Sequence, residues 1–240
     1  MRRDLNIPGY ALLSLLSAAV AVADDWPQFR GGVAQGLAVN ARVPGQWSQT
    51  DHVAWRTGIP GAGWSQPIVV GGRIFLTTAV GAKADRPSGM GGVMSFSTWG
   101  MQSTPRDPVQ WRVLCLDPAD GRILWSKTVV EAVPKFAKHA SNTYATETPC
   151  ASADTVFAFF GGSGTLVALD REGNERWRRD FGPQPITNQF GTGSSPVLHR
   201  DPAGDRLLVQ LYNEDAATLH CIDPRTNADL WTAQIGRAHV

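Results

Sequence analysis

The sequence feature that most constrains the fold is an internal repeat that ends in tryptophan. Each of three copies contains an apolar run, an aspartate, a turn with glycine or asparagine four residues before the tryptophan, and then the tryptophan itself. The copies end at Trp125, Trp177 and Trp231, so their spacings are 52 and 54 residues. Glycine and asparagine tolerate the left-handed backbone that a tight turn between strands requires. Each copy therefore predicts two strands joined by a turn.

Each copy also begins with small polar residues and a proline, followed by two further strand-like runs. The second of these runs lies at 73–78, 155–160 and 206–211. Four short strands in a period of about 50 residues are typical of a propeller blade, whereas an immunoglobulin-like sandwich needs no fixed period. We predict an all-β fold, a β-propeller of four-stranded antiparallel blades. The blades are expected at approximately 64–130, 147–180 and 193–234.

Both ends of the repeat region suggest that the chain is a fragment of a larger ring. Residues 52–57, HVAWRT, resemble the last strand of a further blade, so 24–63 is expected to hold a ring-closing strand. Three complete blades are fewer than the roughly four to eight of most propellers. Residues 235–240, IGRAHV, resemble a translated sequencing adapter, and we expect them to be a non-native tail.

The N-terminus has the pattern of a secretory signal. Arg2 and Arg3 precede an apolar run over 10–22, and Ala-Val-Ala follows at 21–23. The run has 13 residues, fewer than the roughly 20 that a membrane-spanning helix needs. We predict a signal peptide over 1–23 and a periplasmic or secreted protein, with the Sec and twin-arginine routes both open. No cysteine follows the cleavage point, which argues against a lipoprotein.

Composition excludes several classes of partner. The chain has 22 basic and 21 acidic residues, a net charge of +1 and no long basic run. We therefore expect no nucleic-acid partner and no membrane span, and we expect a monomer. Three cysteines cannot form a disulfide framework, and Cys115 and Cys221 are predicted to be too far apart to pair. No spacing of cysteines or histidines indicates a metal site.

The repeat is similar to that of a known family. The motif Leu-Asp-x-x-x-Gly-x-x-x-Trp at 116–125, its variants at 169–177 and 222–231, and Trp-Pro-Gln-Phe-Arg-Gly at 26–31 resemble PQQ-like (pyrroloquinoline-quinone-like) β-propeller repeat proteins. That family includes quinoprotein alcohol dehydrogenases and the BamB outer-membrane assembly factor. The resemblance implies an eight-bladed ring with the repeat tryptophans docked between neighbouring blades. Here those tryptophans are Trp55, Trp125, Trp177 and Trp231.

Strand direction predicts which loops share a face. Antiparallel strands reverse direction, so the loops between blades lie with those that join second and third strands, and the Asp-Gly turns lie opposite. The first face would collect a 32-residue insertion at 79–110 and two polar inter-blade segments, 138–147 and 186–191. These side chains could instead only cap strand ends. The ligand-face candidates are Trp64, His139, Asn142, Tyr144, Glu147, Asn188 and Gln189.

Two functions agree with the sequence. The first is an exported binding or scaffold module that recognises a protein or carbohydrate partner. The alternative, which the resemblance implies, is a PQQ-dependent dehydrogenase that oxidises an alcohol or sugar, with PQQ and calcium at the ring axis. Family dehydrogenases usually carry two adjacent cysteines, whereas Cys115, Cys150 and Cys221 are far apart. The sequence thus favours the binding module, and it identifies no catalytic residue.

Overall fold

The structure of the protein is a computed structural model, and its described part consists of strands and loops. The described residues are 25–32, 34–39, 41–81, 104–186, 190–212 and 217–236. The predicted signal peptide, Asn188, Gln189 and 237–240 of the predicted tail therefore lie outside the described residues. No helix in the described ranges is long and apolar enough to cross a membrane.

Three sheets follow one another along the chain. Blade 1 consists of β1 (Ile68–Val70), β2 (Arg73–Val80), β3 (Val109–Leu116) and β4 (Ile123–Ala132). Blade 2 consists of β5 (Cys150–Ala151), β6 (Thr155–Phe160), β7 (Thr165–Asp170) and β8 (Glu175–Asp180). Blade 3 consists of β9 (Val197–His199), β10 (Arg206–Tyr212), β11 (Ala217–Ile222) and β12 (Asp229–Ile235). Every pairing is antiparallel and sequential, which confirms the predicted all-β fold of four-stranded blades.

Two segments differ from the sequence-based picture. β2 and β3 continue into the predicted insertion, because Ala79 pairs with Trp111 and Val80 with Gln110. The connection between these strands is therefore shorter than 79–110, and 82–103 lie outside the described residues. Residues 52–57 belong to no sheet within the described part of the chain, so their ring-closing role stays a prediction.

The turn before each repeat tryptophan has the predicted left-handed residue. The angle φ is 73° at Gly121, 86° at Gly173 and 63° at Asn227. Each blade also shifts register here, because the residue before the tryptophan has no partner on the third strand. Such a β-bulge bends the strand and redirects a side chain. The bulged residues are Leu124, Arg176 and Leu230.

Neighbouring blades bury their apolar faces against each other. Phe75 and Val113 of blade 1 pack with Val156 of blade 2 in one core cluster. Phe157 of blade 2 packs with Leu207 of blade 3 in a second cluster. All three cysteines are buried and free, which confirms that Cys115 and Cys221 do not pair. Burial of apolar surface between blades is therefore the main stabilising term.

The repeat tryptophans link each blade to the next turn. The Trp125 indole Nε1 donates to the carbonyl of Arg171 at 2.8 Å. Trp177 repeats this contact with Pro224 at 2.9 Å, and Trp55 repeats it with Pro118 at 2.8 Å. These contacts join 52–57 to blade 1, blade 1 to blade 2, and blade 2 to blade 3. In contrast, Trp231 is 46% exposed.

Gly121→Ala should lower the free energy of unfolding by more than about 2 kcal/mol, since it combines two penalties. Its φ of 73° disfavours a side chain, and an added Cβ would lie 2.2 Å from a ring atom of Trp55. Denaturant unfolding measures the change. The control is Gly72→Ala, where φ is 70° but nothing lies within 4 Å, so only the backbone penalty of about 1 kcal/mol remains. Equal losses in the two variants would contradict this packing.

Candidate functional site

Contacts between loops confirm the predicted division into two faces. Arg171, in the β7–β8 turn, donates to the carbonyls of Gly71 and Ala153 in the β1–β2 and β5–β6 turns. We name this side the turn face. On the opposite side, Gly161 in the β6–β7 turn donates to Glu147 in the segment between blades 1 and 2. We name this side the loop face, and it carries the described candidate residues.

Trp64 lies on the loop face with its indole held at one edge. Its Nε1 donates to the carbonyl of Ser141 at 2.9 Å, and its backbone N–H donates to the carbonyl of Ala145 at 2.9 Å. The side chain nevertheless stays 57% exposed. A cavity of about 290 Å³ opens beside it, bordered by Ile59 and Leu76. Trp64 is therefore a fixed, solvent-exposed aromatic surface.

His139 and Phe190 extend this aromatic surface. The two rings meet edge to face, with centroids 5.4 Å apart. His139 Nδ1 is hydrogen-bonded to Ser141 Oγ at 2.6 Å, on the residue whose carbonyl binds Trp64. Phe190 is 49% exposed. We name Trp64, His139 and Phe190 the aromatic ridge, which runs from the segment before blade 1 to the segment before blade 3.

Asn142 supports the ridge from below. Its Nδ2 donates to the carbonyl of Phe190 at 2.7 Å, and its Oδ1 accepts the backbone N–H of Thr143 at 2.7 Å and the Thr146 hydroxyl at 2.5 Å. An added Cβ on Gly191 would lie 2.8 Å from Asn142 Nδ2, so the two segments approach closely. The Asn142 amide therefore positions the ridge, because both of its ends are bonded to protein.

Tyr144 lies in the core beneath the loop face. Its hydroxyl donates to the carbonyl of Phe136 at 3.1 Å, and its ring packs edge to face on Trp111 with centroids 6.1 Å apart. Trp111 Nε1 donates to the Tyr144 carbonyl at 2.8 Å. Burial raises the pKa of the Tyr144 phenol to about 12. The Tyr144 side chain therefore belongs to the core that supports the loop face and is not exposed on that face.

Glu147 is a buried carboxyl at the boundary between the blades. The side chain is 1% exposed, and its Oε1 accepts the N–H of Gly161 at 3.1 Å and the hydroxyl of Thr192. Burial raises the pKa of this carboxyl, and these hydrogen bonds oppose the rise only in part. Glu147 thus ties the segment before blade 2 to the β6–β7 turn and to the segment before blade 3.

Residues 25–32 form an N-terminal strap across the blades, and the sequence does not mark them as functional residues. Trp26 pairs with β1 through two backbone hydrogen bonds of 2.7 and 2.9 Å. The carbonyl of Pro27 accepts from β5 at 2.8 Å, and Oε1 of the buried Gln28 accepts from β9 at 3.0 Å. The strap therefore bonds to the first strand of every described blade. In the sequence, the strap is marked only by the motif at 26–31, and that motif does not indicate contacts with the three blades.

The described residues do not fit PQQ with calcium. Within the described ranges, no three histidine, cysteine, aspartate or glutamate side chains are grouped so that they could hold a metal ion. Calcium in proteins takes about six to eight oxygen ligands. Cys115, Cys150 and Cys221 lie in different blades and are all buried and free. The described residues therefore give no basis for a step through a quinone.

Comparison with known proteins agrees with the fold. A family model described as outer membrane protein assembly factor BamB matches residues 29–239, from the strap to the end of blade 3. No curated protein was found to be similar in sequence. The family is one of PQQ-like β-propellers, which agrees with the three four-stranded blades. Because the match covers most of the sequence, the chain belongs to the family described as outer membrane protein assembly factor BamB.

Proposed function

We propose that this chain is an exported scaffold module that binds a protein partner through the aromatic ridge on its loop face. The observation that carries the proposal is the exposure of Trp64 and Phe190, at 57% and 49%, on loops fixed by hydrogen bonds. Rigid exposed aromatics are typical anchors of protein interfaces, because they bury a large area at little entropic cost.

The surroundings of the ridge support a protein partner. A cavity of about 290 Å³ lies beside Trp64, and a second of about 220 Å³ is lined by Gly191 and Thr192, which follow Phe190 in sequence, so the same face offers space for partner side chains. Asn142 and Ser141 hold the ridge in place through their contacts with Phe190 and Trp64. A prearranged surface of this kind binds without first paying the entropy of loop ordering. The family match also supports a protein partner, because its description is that of an assembly factor.

Export to the periplasm or beyond belongs to the same proposal. The family description refers to the outer membrane, and the pattern at 1–23 is that of a signal peptide. A partner on the same side of the inner membrane would then meet the loop face. Export can be tested separately by N-terminal sequencing of the secreted or periplasmic protein, which should begin at Asp24.

Photo-crosslinking tests the ridge directly. A photoreactive phenylalanine analogue at position 64 or 190 should crosslink a defined protein in cells, and position 47 supplies the control. Trp47 is 75% exposed outside the ridge, and the analogue there should not crosslink that protein. Trp64→Ala and Phe190→Ala should then weaken binding of the purified partner by about 30-fold each, as expected for interface anchors.

Two results would contradict the proposal. One is crosslinking of the same proteins from positions 47, 64 and 190 with equal yield. The other is an unchanged dissociation constant in both ridge variants, with Trp47→Ala also unchanged. Circular dichroism of each variant should match the wild type, because Trp64 and Phe190 are half exposed and their loss leaves the blade cores intact.

A further inference from the structure

The turn face contains a cleft between blades 2 and 3 that is separate from the aromatic ridge. Its volume is about 560 Å³, and its floor consists of Phe157, Trp177 and Leu198. Its walls are the β5–β6 turn of blade 2 and the β9–β10 turn of blade 3. Small-molecule sites in proteins usually measure roughly 300 to 1,000 Å³. The cleft therefore has the size of a ligand site.

The matching groove between blades 1 and 2 is closed by the protein itself. The Arg171 guanidinium lies in it and donates to the carbonyl of Gly71 at 2.5 Å and to that of Ala153 at 3.4 Å. Leu124, the bulged residue of β4, packs against the core between the two blades. A side chain from each of two neighbouring blades therefore fills this groove.

Both of these side chains are replaced between blades 2 and 3. The position that follows the turn aspartate is Arg171 in blade 2 and Pro224 in blade 3, and proline has no polar side chain to place in the groove. The bulged position of β8 holds Arg176, which turns onto the cleft wall and bonds Asp154 at 2.9 Å. Trp177 still docks on Pro224, so the blades remain joined while the cleft is open.

The acidic groups of the cleft are already bound by the protein. Asp154 pairs with Arg176 at 2.9 Å, and Asp205 pairs with Arg200 at 2.5 Å. Asp223 accepts two backbone N–H groups of its own turn. The hydrogen bond from the Ser152 hydroxyl, together with the Arg176 guanidinium, lowers the pKa of Asp154 to about 2, and the backbone N–H groups lower the pKa of Asp223, so both carboxyls are charged at neutral pH. They offer little to a cationic ligand.

Two further arginines line the cleft and are held less tightly. Arg206 forms only a long ion pair with Asp201, with Nε 4.0 Å from the carboxylate and no hydrogen bond. Arg225 lines the cleft and makes no ion pair with any residue that the structure describes. Leu230, the bulged residue of β12, borders the same space and is 45% exposed. The cleft therefore presents guanidinium donors next to apolar surface.

We propose that this cleft binds a small organic anion whose carboxylate or phosphate is held by Arg206 and Arg225 and whose apolar part packs on Trp177 and Leu230. Guanidinium groups bind both kinds of anion through paired N–H donors. Apolar contact with the floor adds affinity because it removes that surface from water. This site is independent of a partner on the loop face.

Calorimetric titration of the full chain with phenyl phosphate tests the proposal. We expect saturable binding that weakens by about tenfold in Arg225→Gln and in Arg206→Gln, the loss typical of one charged hydrogen bond. Benzyl alcohol lacks the charge and inorganic phosphate lacks the ring, so each should bind more weakly than phenyl phosphate. Arg122→Gln is the matched control, because Arg122 lies in the β3–β4 turn of the same face and outside the cleft.

Several outcomes would overturn the proposal. The absence of saturable binding up to about 10 mM phenyl phosphate would exclude a useful anion site. Equal affinity in wild type, Arg225→Gln and Arg206→Gln would show that the anion binds elsewhere. Equal affinity for inorganic phosphate and phenyl phosphate would show that the phenyl ring adds no affinity, which contradicts the proposed packing on Trp177 and Leu230. The circular dichroism spectra of the glutamine variants should match that of the wild type, which shows that a change in affinity is not caused by unfolding.

Discussion

Trp177→Ala is expected to lower the free energy of unfolding by about 3 to 5 kcal/mol, the range for removal of a large aromatic side chain from a packed site. Trp177 packs on the core between blades 2 and 3, with its ring centroid 5.8 Å from that of Phe157. Its indole also donates to the Pro224 carbonyl at 2.9 Å. The variant loses both contacts and extends the cleft into the core between blades 2 and 3. Urea unfolding followed by circular dichroism measures the change.

Trp231→Ala is the matched control for this prediction. Trp231 has the same position in blade 3, yet it is 46% exposed, so its loss should change stability by less than about 1 kcal/mol. Trp177→Phe keeps most of the packing and removes the N–H donor, and we expect a loss of about 1 kcal/mol. A loss below about 1 kcal/mol in Trp177→Ala, or equal losses at 177 and 231, would contradict docking of the blades through tryptophan.

Glu147→Gln should change how stability depends on pH. Burial raises the pKa of Glu147 above its ordinary value of 4.5, so the folded state binds this proton more tightly than the unfolded state does. Protonation therefore stabilises the fold, and the wild type loses stability as pH rises from the unfolded pKa towards the folded one. Relative to the variant, the loss within that window reaches about 1.4 kcal/mol per pH unit, after which it is constant.

Glu175→Gln is the control with the opposite sign. The Arg178 guanidinium lowers the pKa of Glu175, so the wild type gains stability relative to this variant as pH rises through the window below 4.5. Glu175 is exposed, and the effect is therefore smaller. Chemical unfolding of wild type and both variants from about pH 2 to 8 separates the cases. Parallel stability curves for wild type and Glu147→Gln would contradict a buried, ionisable carboxyl.

Local sequence rules were sufficient to predict the blades. Each turn needs a residue that tolerates positive φ, and Gly121, Gly173 and Asn227 adopt it. The β-propensity of the apolar runs placed the strands to within a few residues, because β6 and β7 are buried on both faces and read as continuous apolar runs. The strand ends in the 79–110 region were less accurate, since β2 and β3 extend by pairing with each other and not by apolar pattern alone.

The candidate site was harder to predict because burial depends on packing between distant segments. The sequence singled out Trp64 and His139, and their role as site residues stays a prediction, whereas Phe190 was part of a predicted loop but was not singled out. Tyr144 and Glu147 have the polar character of ligand contacts, yet their positions between blades bury them. No local rule indicates this, because the partners of Glu147 include Thr192, which lies 45 residues away in sequence.

The strap and the cleft show two further limits of local reasoning. Gln28 contacts β9 across 170 residues, and no periodic pattern connects them. The cleft depends on a comparison between blades, in which Pro224 replaces Arg171 at one position of the turn. Once the blades are aligned by their tryptophans, that difference is visible in the sequence. Its consequence for the groove requires the side-chain contacts of Arg171.

The measurement that most directly separates the proposed binding module from the alternative of a quinoprotein dehydrogenase is titration with PQQ in the presence and absence of calcium, followed by dye-linked alcohol oxidation. The proposed binding module predicts no calcium-dependent stoichiometric binding and no dye reduction. Stoichiometric, calcium-dependent binding with turnover would contradict the account and identify a quinoprotein dehydrogenase.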